Sequence, residues 1–234
     1  MKAVLAAWAM LILSAPSYGQ AGNAAMAEPY DFKGARLGMT FEEWQAVSPP
    51  IDLQSTNMGV DKKSEPLRIW CSGTRLPITK TDSMPAVHVT LEEERAGVST
   101  CRYGRMGRVF GRPSLMGAWI SVGDGITTDV TYKFLENRLY EIEIEGVIKL
   151  YPGIVEGLNA RFGRPTDNEN DTVTNGYGSD FPHTFKKWRR DDSVIELEAP
   201  YKKLSFMRVV FFSQNAHAKI LAAQPKGPPA TSKM

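Results

Sequence analysis

Long apolar stretches are scarce in this sequence, and the longest is the run over residues 3–13. Crossing the hydrocarbon core of a bilayer takes about 20 apolar residues, so this run is too short to stay as a membrane anchor. The charge at Lys2, the short apolar run, Pro16 and the small residues after it are typical of a signal peptide, which we expect over residues 1–21. Cleavage fits three points: after Gly19, Ala21 or Ala27. We therefore expect a bacterial protein that is periplasmic or secreted, with no membrane anchor after cleavage.

Cysteine is also scarce, with only two in the chain. A bacterial lipoprotein needs a cysteine at its cleavage point, and the first one here is Cys71, so lipid anchoring is not expected. In an oxidising compartment two lone thiols usually pair. We therefore predict a disulfide between Cys71 and Cys101, worth roughly 3–4 kcal/mol through loop closure. A metal site or a reactive thiol is the alternative. A metal site would need further Cys or His ligands, and His88 is the only one nearby.

A large excess of either charge is missing, since 28 basic residues face 26 acidic ones and the net charge is +2. A nearly neutral chain has no overall field to attract nucleic acid. The hydrophobic content of 42% and the aromatic content of 10% are those of a globular protein. We expect a folded domain with no nucleic-acid partner.

Recognisable catalytic and metal motifs are absent from the sequence. There is no Gly-x-Ser-x-Gly elbow to expose a nucleophilic serine. Asp167, Glu169 and Asp171 alternate as in a calcium loop, but Thr172 stands where an EF-hand requires glycine, which favours a solvated loop. The histidines are read as core or surface residues, and they are His88, His183 and His217. We expect no catalytic residue, no metal and no cofactor.

Turn and linker signals divide the chain into segments. We expect a linker over residues 22–30, a domain over 31–214 and a disordered tail over 215–234, which contains a Pro- and Gly-rich stretch. The domain could consist of two halves, 31–126 and 127–214.

Two helices are indicated inside the domain. Thr40 and Glu43 form the pattern of a capping box at the start of the first helix, which Pro49-Pro50 should end. The second helix is expected over residues 150–162, where apolar residues recur at helical spacing, and Gly163 should end it.

The clearest strands form a hairpin over residues 130–134 and 139–145. Alternation predicts that Glu141, Glu143 and Glu145 form a solvated face. The opposite face should carry Val130, Tyr132, Phe134, Tyr140, Ile142 and Ile144. The strand over 204–212 is apolar on both faces and should be central. Together these patterns predict an α+β fold with an antiparallel β-sheet and two main helices, which could be a pseudo-repeat of helix plus strands.

An arginine- and glycine-rich segment is the least ordinary feature of the sequence. The spacing of its basic residues would give one face on a helix, but the glycines between them favour a loop. Such a loop could close on a phosphate or carboxylate with backbone N–H groups and guanidinium groups. The candidate anion-binding residues are Arg102, Arg105, Arg108 and Arg112. The alternative is a solvated basic loop that balances the acidic face of residues 141–145.

Short motifs link the chain to known envelope proteins. The segment Gly34-x-x-Leu37-Gly38-Met39-Thr40 before a helix resembles the opening of many bacterial periplasmic proteins. The motifs Tyr132-x-Phe134, Arg138-Leu139-x-x-Ile142 and Phe162-Gly163-x-Pro165, with Trp188 in a later strand, are similar to the helix-then-sheet unit of the BamE and β-lactamase-inhibitor-protein group. The resemblance covers residues 31–47 and 127–213. It implies a non-catalytic envelope protein that works through its sheet surface.

These observations leave three functional hypotheses. The first is a non-catalytic binding or protein-interaction module, whose partner is an envelope protein or ligand. The second is a secreted hydrolase whose catalytic residues are scattered along the chain. The third is a receptor for an anionic small molecule or glycan at residues 102–112. A cleft that holds a nucleophile and a base within hydrogen-bond reach would favour the second hypothesis.

Overall fold

The structure is a computed structural model that describes residues 28–47, 54–55, 68–72, 90–109, 112–121, 127–174 and 176–223. The predicted signal peptide, most of the predicted linker and His88 lie outside these ranges. In the described ranges there are twelve strands and four α-helices. The strands are β1 (Asp31–Phe32), β2 (Ala35–Arg36), β3 (Gln54–Ser55), β4 (Arg68–Cys71), β5 (Val98–Val109), β6 (Arg112–Ser121), β7 (Thr127–Leu135), β8 (Arg138–Val147), β9 (Asp167–Thr174), β10 (Asp180–Arg190), β11 (Ser193–Ala199) and β12 (Phe206–Ser213). The helices are α1 (Phe41–Ala46), α2 (Leu91–Arg95), α3 (Tyr151–Phe162) and α4 (Gln214–Ala222), and Ile148–Leu150 form a 3₁₀ turn before α3.

Ten of the strands form one antiparallel sheet in the order β3-β6-β5-β7-β8-β12-β11-β10-β9, with β4 paired to β5. Strands β1 and β2 form a separate hairpin. The predicted α+β fold with an antiparallel sheet is therefore confirmed. Within the described ranges, no helix has the length and apolar character that crossing a bilayer requires.

The main hydrophobic core lies on one side of the sheet, which we call the inner face. Helices α1 and α3 contribute Trp44 and Leu158 to this core. Trp188 of β10 is 1% exposed, and its indole N–H donates to the Gly163 carbonyl oxygen at 2.9 Å. The sheet side chains of the core include Tyr132, Ile142, Ile195, Leu197 and Val209. One tryptophan thus ties the end of α3 to the sheet.

Local sequence signals place both helices of the inner face. The Thr40 hydroxyl oxygen accepts from the Glu43 N–H at 3.2 Å, and the Glu43 carboxylate accepts from the Thr40 N–H at 2.7 Å. This is the predicted capping box, and α1 ends at Ala46. Helix α3 ends where Gly163 takes a positive φ of 80°, which glycine adopts without steric cost. Both predicted helices are confirmed.

Strand β12 lies between β8 and β11, as its apolar sequence predicts. Phe211 packs into the main core, whereas Val210 and Phe212 form a second buried cluster with Val194 on the opposite side of the sheet. We call that side the outer face. Burial on both sides explains why this strand shows no alternation of polar and apolar residues.

The β7–β8 hairpin departs from strict alternation at one point. The register shifts after Lys133, and Tyr140 is left as an extra residue in the ladder, as in a β-bulge. Tyr140 therefore packs with Val98 and Leu135 in a small cluster apart from the main core. The prediction that Tyr140 shares a face with Ile142 is wrong, because an alternating pattern does not reveal an inserted residue.

The folded domain begins before its predicted start. Tyr30, which falls in the predicted linker, is only 3% exposed. Its ring meets Phe162 edge-on, with the ring centroids 4.9 Å apart. The small, polar composition that predicts a linker therefore does not extend to this residue.

The predicted disordered tail is wrong over helix α4. The Ser213 hydroxyl caps this helix by accepting from the Ala216 N–H at 3.2 Å. Ala216 and Ile220 pack against the cluster that contains Tyr140. The Pro- and Gly-rich composition that predicts disorder begins only after α4, and residues 224–234 lie outside the described ranges.

Strand β9 forms one edge of the sheet, and seven of its eight residues, Asp-Asn-Glu-Asn-Asp-Thr-Val-Thr, are polar. Asp167, Glu169 and Asp171 therefore lie on a strand, and the prediction of a solvated loop is wrong here. The pairing of β9 with β10 places these carboxylates opposite residues of β10.

Candidate functional site

Charged side chains gather on the outer face because strand register brings them together. Residues two apart on a strand point to the same side, so Glu141, Glu143 and Glu145 line one row of β8. Strands β7 and β12 flank β8 and bring Lys133 and Arg208 to this row. The prediction of a solvated acidic face is wrong at Glu141, whose side chain is 4% exposed, because helices α2 and α4 lie against this part of the sheet.

The most buried part of the row is a network of Glu93, Lys133, Glu141 and His217, which we call the carboxylate network. The ammonium nitrogen of Lys133 lies 2.7 Å from Glu93 Oε1 and 2.8 Å from Glu141 Oε1. His217 Nε2 lies 2.5 Å from the other carboxylate oxygen, Glu141 Oε2. Because Glu93 belongs to α2 and His217 to α4, the network fastens two helices to the sheet.

The electrostatics of the carboxylate network favour its charged form. Burial alone would raise the pKa of Glu141, but the hydrogen bond from His217 and the Lys133 ammonium outweigh burial and lower the pKa to about 2. Burial alone would lower the pKa of Lys133, but Glu141 and Glu93 raise it well above its ordinary value. Both groups are therefore ionised throughout the physiological pH range.

Three further ion pairs lie on the outer face. They join Arg208 Nε to Glu143 Oε1 at 2.6 Å, Lys187 Nζ to Glu196 Oε1 at 2.6 Å and Lys202 Nζ to Glu145 Oε1 at 2.7 Å. The buried cluster of Val194, Val210 and Phe212 lies among these pairs. The His217 ring stacks on Phe212 with the ring centroids 4.3 Å apart. The charges are thus held in fixed positions around this buried apolar cluster.

His183 lies on the same face near the sheet edge. Its Nδ1 is 2.6 Å from Asp171 Oδ1, and its Nε2 is 3.4 Å from Glu198 Oε1. Burial alone would lower the pKa of His183, but hydrogen bonds to Asp171 and Glu198 raise it. A general base needs a ring nitrogen that can reach the proton it removes. In this arrangement carboxylates occupy both nitrogens of the ring.

The arginine segment lies on strands and not on a loop. Arg102, Arg105 and Arg108 belong to β5, and Arg112 begins β6. The prediction of a loop is wrong because the glycines between the arginines lie in the β5–β6 ladder, where Gly104 pairs with Gly117 and Gly107 with Ser114. The side chains of Arg105, Arg108 and Arg112 lie outside the described part of the structure.

The fourth arginine side chain, that of Arg102, borders a cavity of about 210 Å³. Asp129, Glu143 and Glu145 line the same cavity. Arg102 thus faces carboxylates in this cavity, of which Glu143 and Glu145 are also paired with Arg208 and Lys202. Anion binding by the rest of the segment stays a prediction.

The two cysteines form the predicted disulfide. Cys71 and Cys101 are directly opposite each other in the β4–β5 pair, and they are bonded to each other. Cys101 is fully buried in the main core. The bond therefore fixes β4 to the sheet, and no free thiol is present in the described residues.

Sequence reasoning missed the basic members of the outer face. Lys133, Arg208 and His217 attract no attention by themselves, since none belongs to a motif. A signal for Lys133 was available, because it lies in the strand paired with the Glu-rich strand, where cross-strand partners of opposite charge are favourable. No such signal points to His217, which lies 76 positions from Glu141.

The described residues contain no cluster of three or more His, Cys, Asp or Glu side chains arranged to hold a metal ion. The outer face presents an array of paired charges. Comparison of the chain with models of known protein families, with curated proteins and with solved structures finds no significant match.

Proposed function

We propose that this protein is a non-catalytic interaction module of the bacterial periplasm or extracellular space, and that it binds a protein partner through its outer face. The observation that carries this proposal is the array of paired charges on β8, β10, β11 and β12. Side chains held on strands by mutual ion pairs form a preorganised surface, which loses little entropy when a partner binds.

The partial exposure of this array supports a binding role. The side chains of Glu196 and Glu145 are 29% and 39% exposed, so carboxylate oxygens remain accessible although each is paired. A polar partner can add hydrogen bonds to such groups without breaking the existing pairs. The buried cluster that contains Val210 and Phe212 lies beneath these carboxylates and keeps the surface rigid.

The state of the histidines favours binding over hydrolysis. Both described histidines, His183 and His217, contact carboxylates. A hydrolase of the serine or cysteine type needs a histidine with one nitrogen hydrogen-bonded to its nucleophile, whereas carboxylates face both nitrogens of His183. The resemblance to the BamE and β-lactamase-inhibitor-protein group agrees with a non-catalytic role, and a disulfide agrees with an oxidising compartment.

Site-specific photo-crosslinking in living cells tests the proposal. Phe185 lies on the outer face, since Lys187 Nζ is 5.4 Å from the centre of its ring. Replacement of Phe185 by p-benzoylphenylalanine should give a discrete adduct with one protein after illumination. The charge reversal Glu196→Lys in the same chain should reduce that adduct about tenfold or more, because it places a like charge against the groups that met the carboxylate.

Tyr177 provides the matched control, because it is an aromatic residue that is 96% exposed in the turn between β9 and β10. The same photo-reactive residue at position 177 should give no discrete adduct. Equal adducts from positions 177 and 185, or no adduct from position 185, would rule out a partner on the outer face.

A further inference from the structure

Four large apolar side chains remain exposed together at one end of the sheet. They are Val147, Ile148, Leu204 and Phe206, with 38%, 37%, 43% and 36% of their surface exposed. We call this group the apolar tip. Val147 and Phe206 are paired residues of β8 and β12, and the Ile148 N–H donates to the Ser205 carbonyl oxygen at 2.8 Å. The four side chains therefore come from two adjacent segments and form one patch.

Three lysines are next to the residues of the apolar tip in the sequence. Lys149 follows Ile148, and Lys202 and Lys203 precede Leu204. Lys203 Nζ lies 5.8 Å from the centre of the Phe206 ring, so this charge is held above the apolar surface. Lys202 is paired with Glu145. Neither Lys149 nor Lys203 makes an ion pair with any residue that the structure describes.

Exposed apolar residues that adjoin one another usually mark a binding surface. Glu145 beside the tip is paired with Lys202, so the lysines without a described ion pair, Lys149 and Lys203, indicate the partner. Apolar side chains can enter the boundary between headgroups and acyl chains, while lysines at the same depth attract anionic headgroups. We infer that the apolar tip docks the protein reversibly on a bilayer that contains anionic phospholipid.

This inference is independent of the proposed function. The tip adjoins the Lys202–Glu145 pair of the outer face, but the photo-crosslinking position, Phe185, lies two strands away from β12 on β10, and the two tests change different residues. The overall charge of the chain is nearly neutral, so docking depends on the local cluster of lysines and not on a general field. Failure of one proposal therefore leaves the other standing.

Vesicle flotation tests the inference with the protein as purified from the expressing cells. The wild-type protein should float with vesicles that contain phosphatidylglycerol and phosphatidylcholine, and it should not float with phosphatidylcholine alone. The double variant Lys149→Gln, Lys203→Gln should bind the anionic vesicles about 30-fold more weakly, because each lysine near such a surface contributes about fivefold to affinity. The variant Leu204→Ser should also bind more weakly, although its exposed position leaves the fold intact.

The double variant Lys186→Gln, Lys219→Gln is the matched control. It removes the same two charges from sites away from the tip, where Lys186 contacts Asn168 and Lys219 contacts Glu136. It should float like the wild type. All the compared proteins should have the same N-terminus. Equal loss of binding in the two double variants, or no flotation of the wild type with anionic vesicles, would overturn the inference. A dimer in lipid-free buffer that Leu204→Ser dissociates would overturn it too, because a second copy would then cover the tip.

Discussion

Replacement of Lys133 by methionine tests whether the carboxylate network stabilises the fold. Methionine has nearly the same length but no charge, so the change leaves little space unfilled. The side chains of Lys133 and Glu141 are 14% and 4% exposed. Removal of one partner from such a buried pair leaves an uncompensated charge and costs about 3–5 kcal/mol. His217 still contacts Glu141, but Glu93 loses its partner, so we expect a loss of at least about 3 kcal/mol.

The pKa of Glu141 reflects all partners of its carboxylate, the hydrogen bond from His217 first and the Lys133 ammonium next. It is lowered from the ordinary 4.5 to about 2 in the folded protein. A difference of this size between the folded and unfolded states corresponds to about 3 kcal/mol of stability at neutral pH. Lys133 and His217 share this stabilisation of the carboxylate.

Urea unfolding at pH 7, followed by tryptophan fluorescence, measures this loss. Trp44 and Trp188 are each 1% exposed, so their emission should change on unfolding. The control is Lys219→Met, since Lys219 and Glu136 are 62% and 72% exposed and their pair should contribute less than about 1 kcal/mol. A free energy of unfolding for Lys133→Met within about 1 kcal/mol of the wild type would refute the reasoning, as would equal losses in the two variants.

Three more predictions concern acid stability, the disulfide and the tryptophan that anchors α3. Because the pKa of Glu141 is lowered, its contribution to the free energy of unfolding is full above pH 4.5 and is lost as pH falls towards about 2. Glu141→Gln should therefore flatten the acid side of the stability profile. An unchanged slope in urea unfolding at successive pH values would contradict this. Replacement of Cys71 and Cys101 together by alanine should cost roughly 3–4 kcal/mol, and reductant should destabilise the wild type equally but leave the variant unchanged in thermal unfolding. Trp188→Ala should lower the free energy of unfolding by about 3–5 kcal/mol. Trp188→Phe should lower it less, because this variant loses mainly the hydrogen bond to Gly163. Similar losses for the two variants in denaturant titrations would show that the hydrogen bond dominates.

Features that depend on nearby residues could be predicted from the sequence. The capping box of Thr40 and Glu43 is a local pattern, and so is the glycine that ends α3. The central position of β12 follows from its composition. The disulfide follows from the presence of only two cysteines. Each of these predictions requires no knowledge of how distant segments pair.

The outer face could not be predicted in the same way, because its charges come from segments that are far apart in the chain. Alternation correctly places Glu141 on a face away from Ile142, but it does not show that α2 and α4 cover that face. The β-bulge at Tyr140 changes the direction of a side chain without leaving a mark in the alternating pattern. Strand register and helix packing, rather than propensity, decide these features.

The polar edge strand β9 has a consequence for the behaviour of the protein at high concentration. A free sheet edge is a template on which a second copy can add its own edge strand. Two β9 strands approaching in antiparallel fashion would bring Asp167, Glu169 and Asp171 of each chain towards the same carboxylates of the other. Asp167 and Asp171 are paired with Arg189 and His183, so it is chiefly the desolvation of so many polar groups that opposes stacking of copies at this end and growth into fibres there.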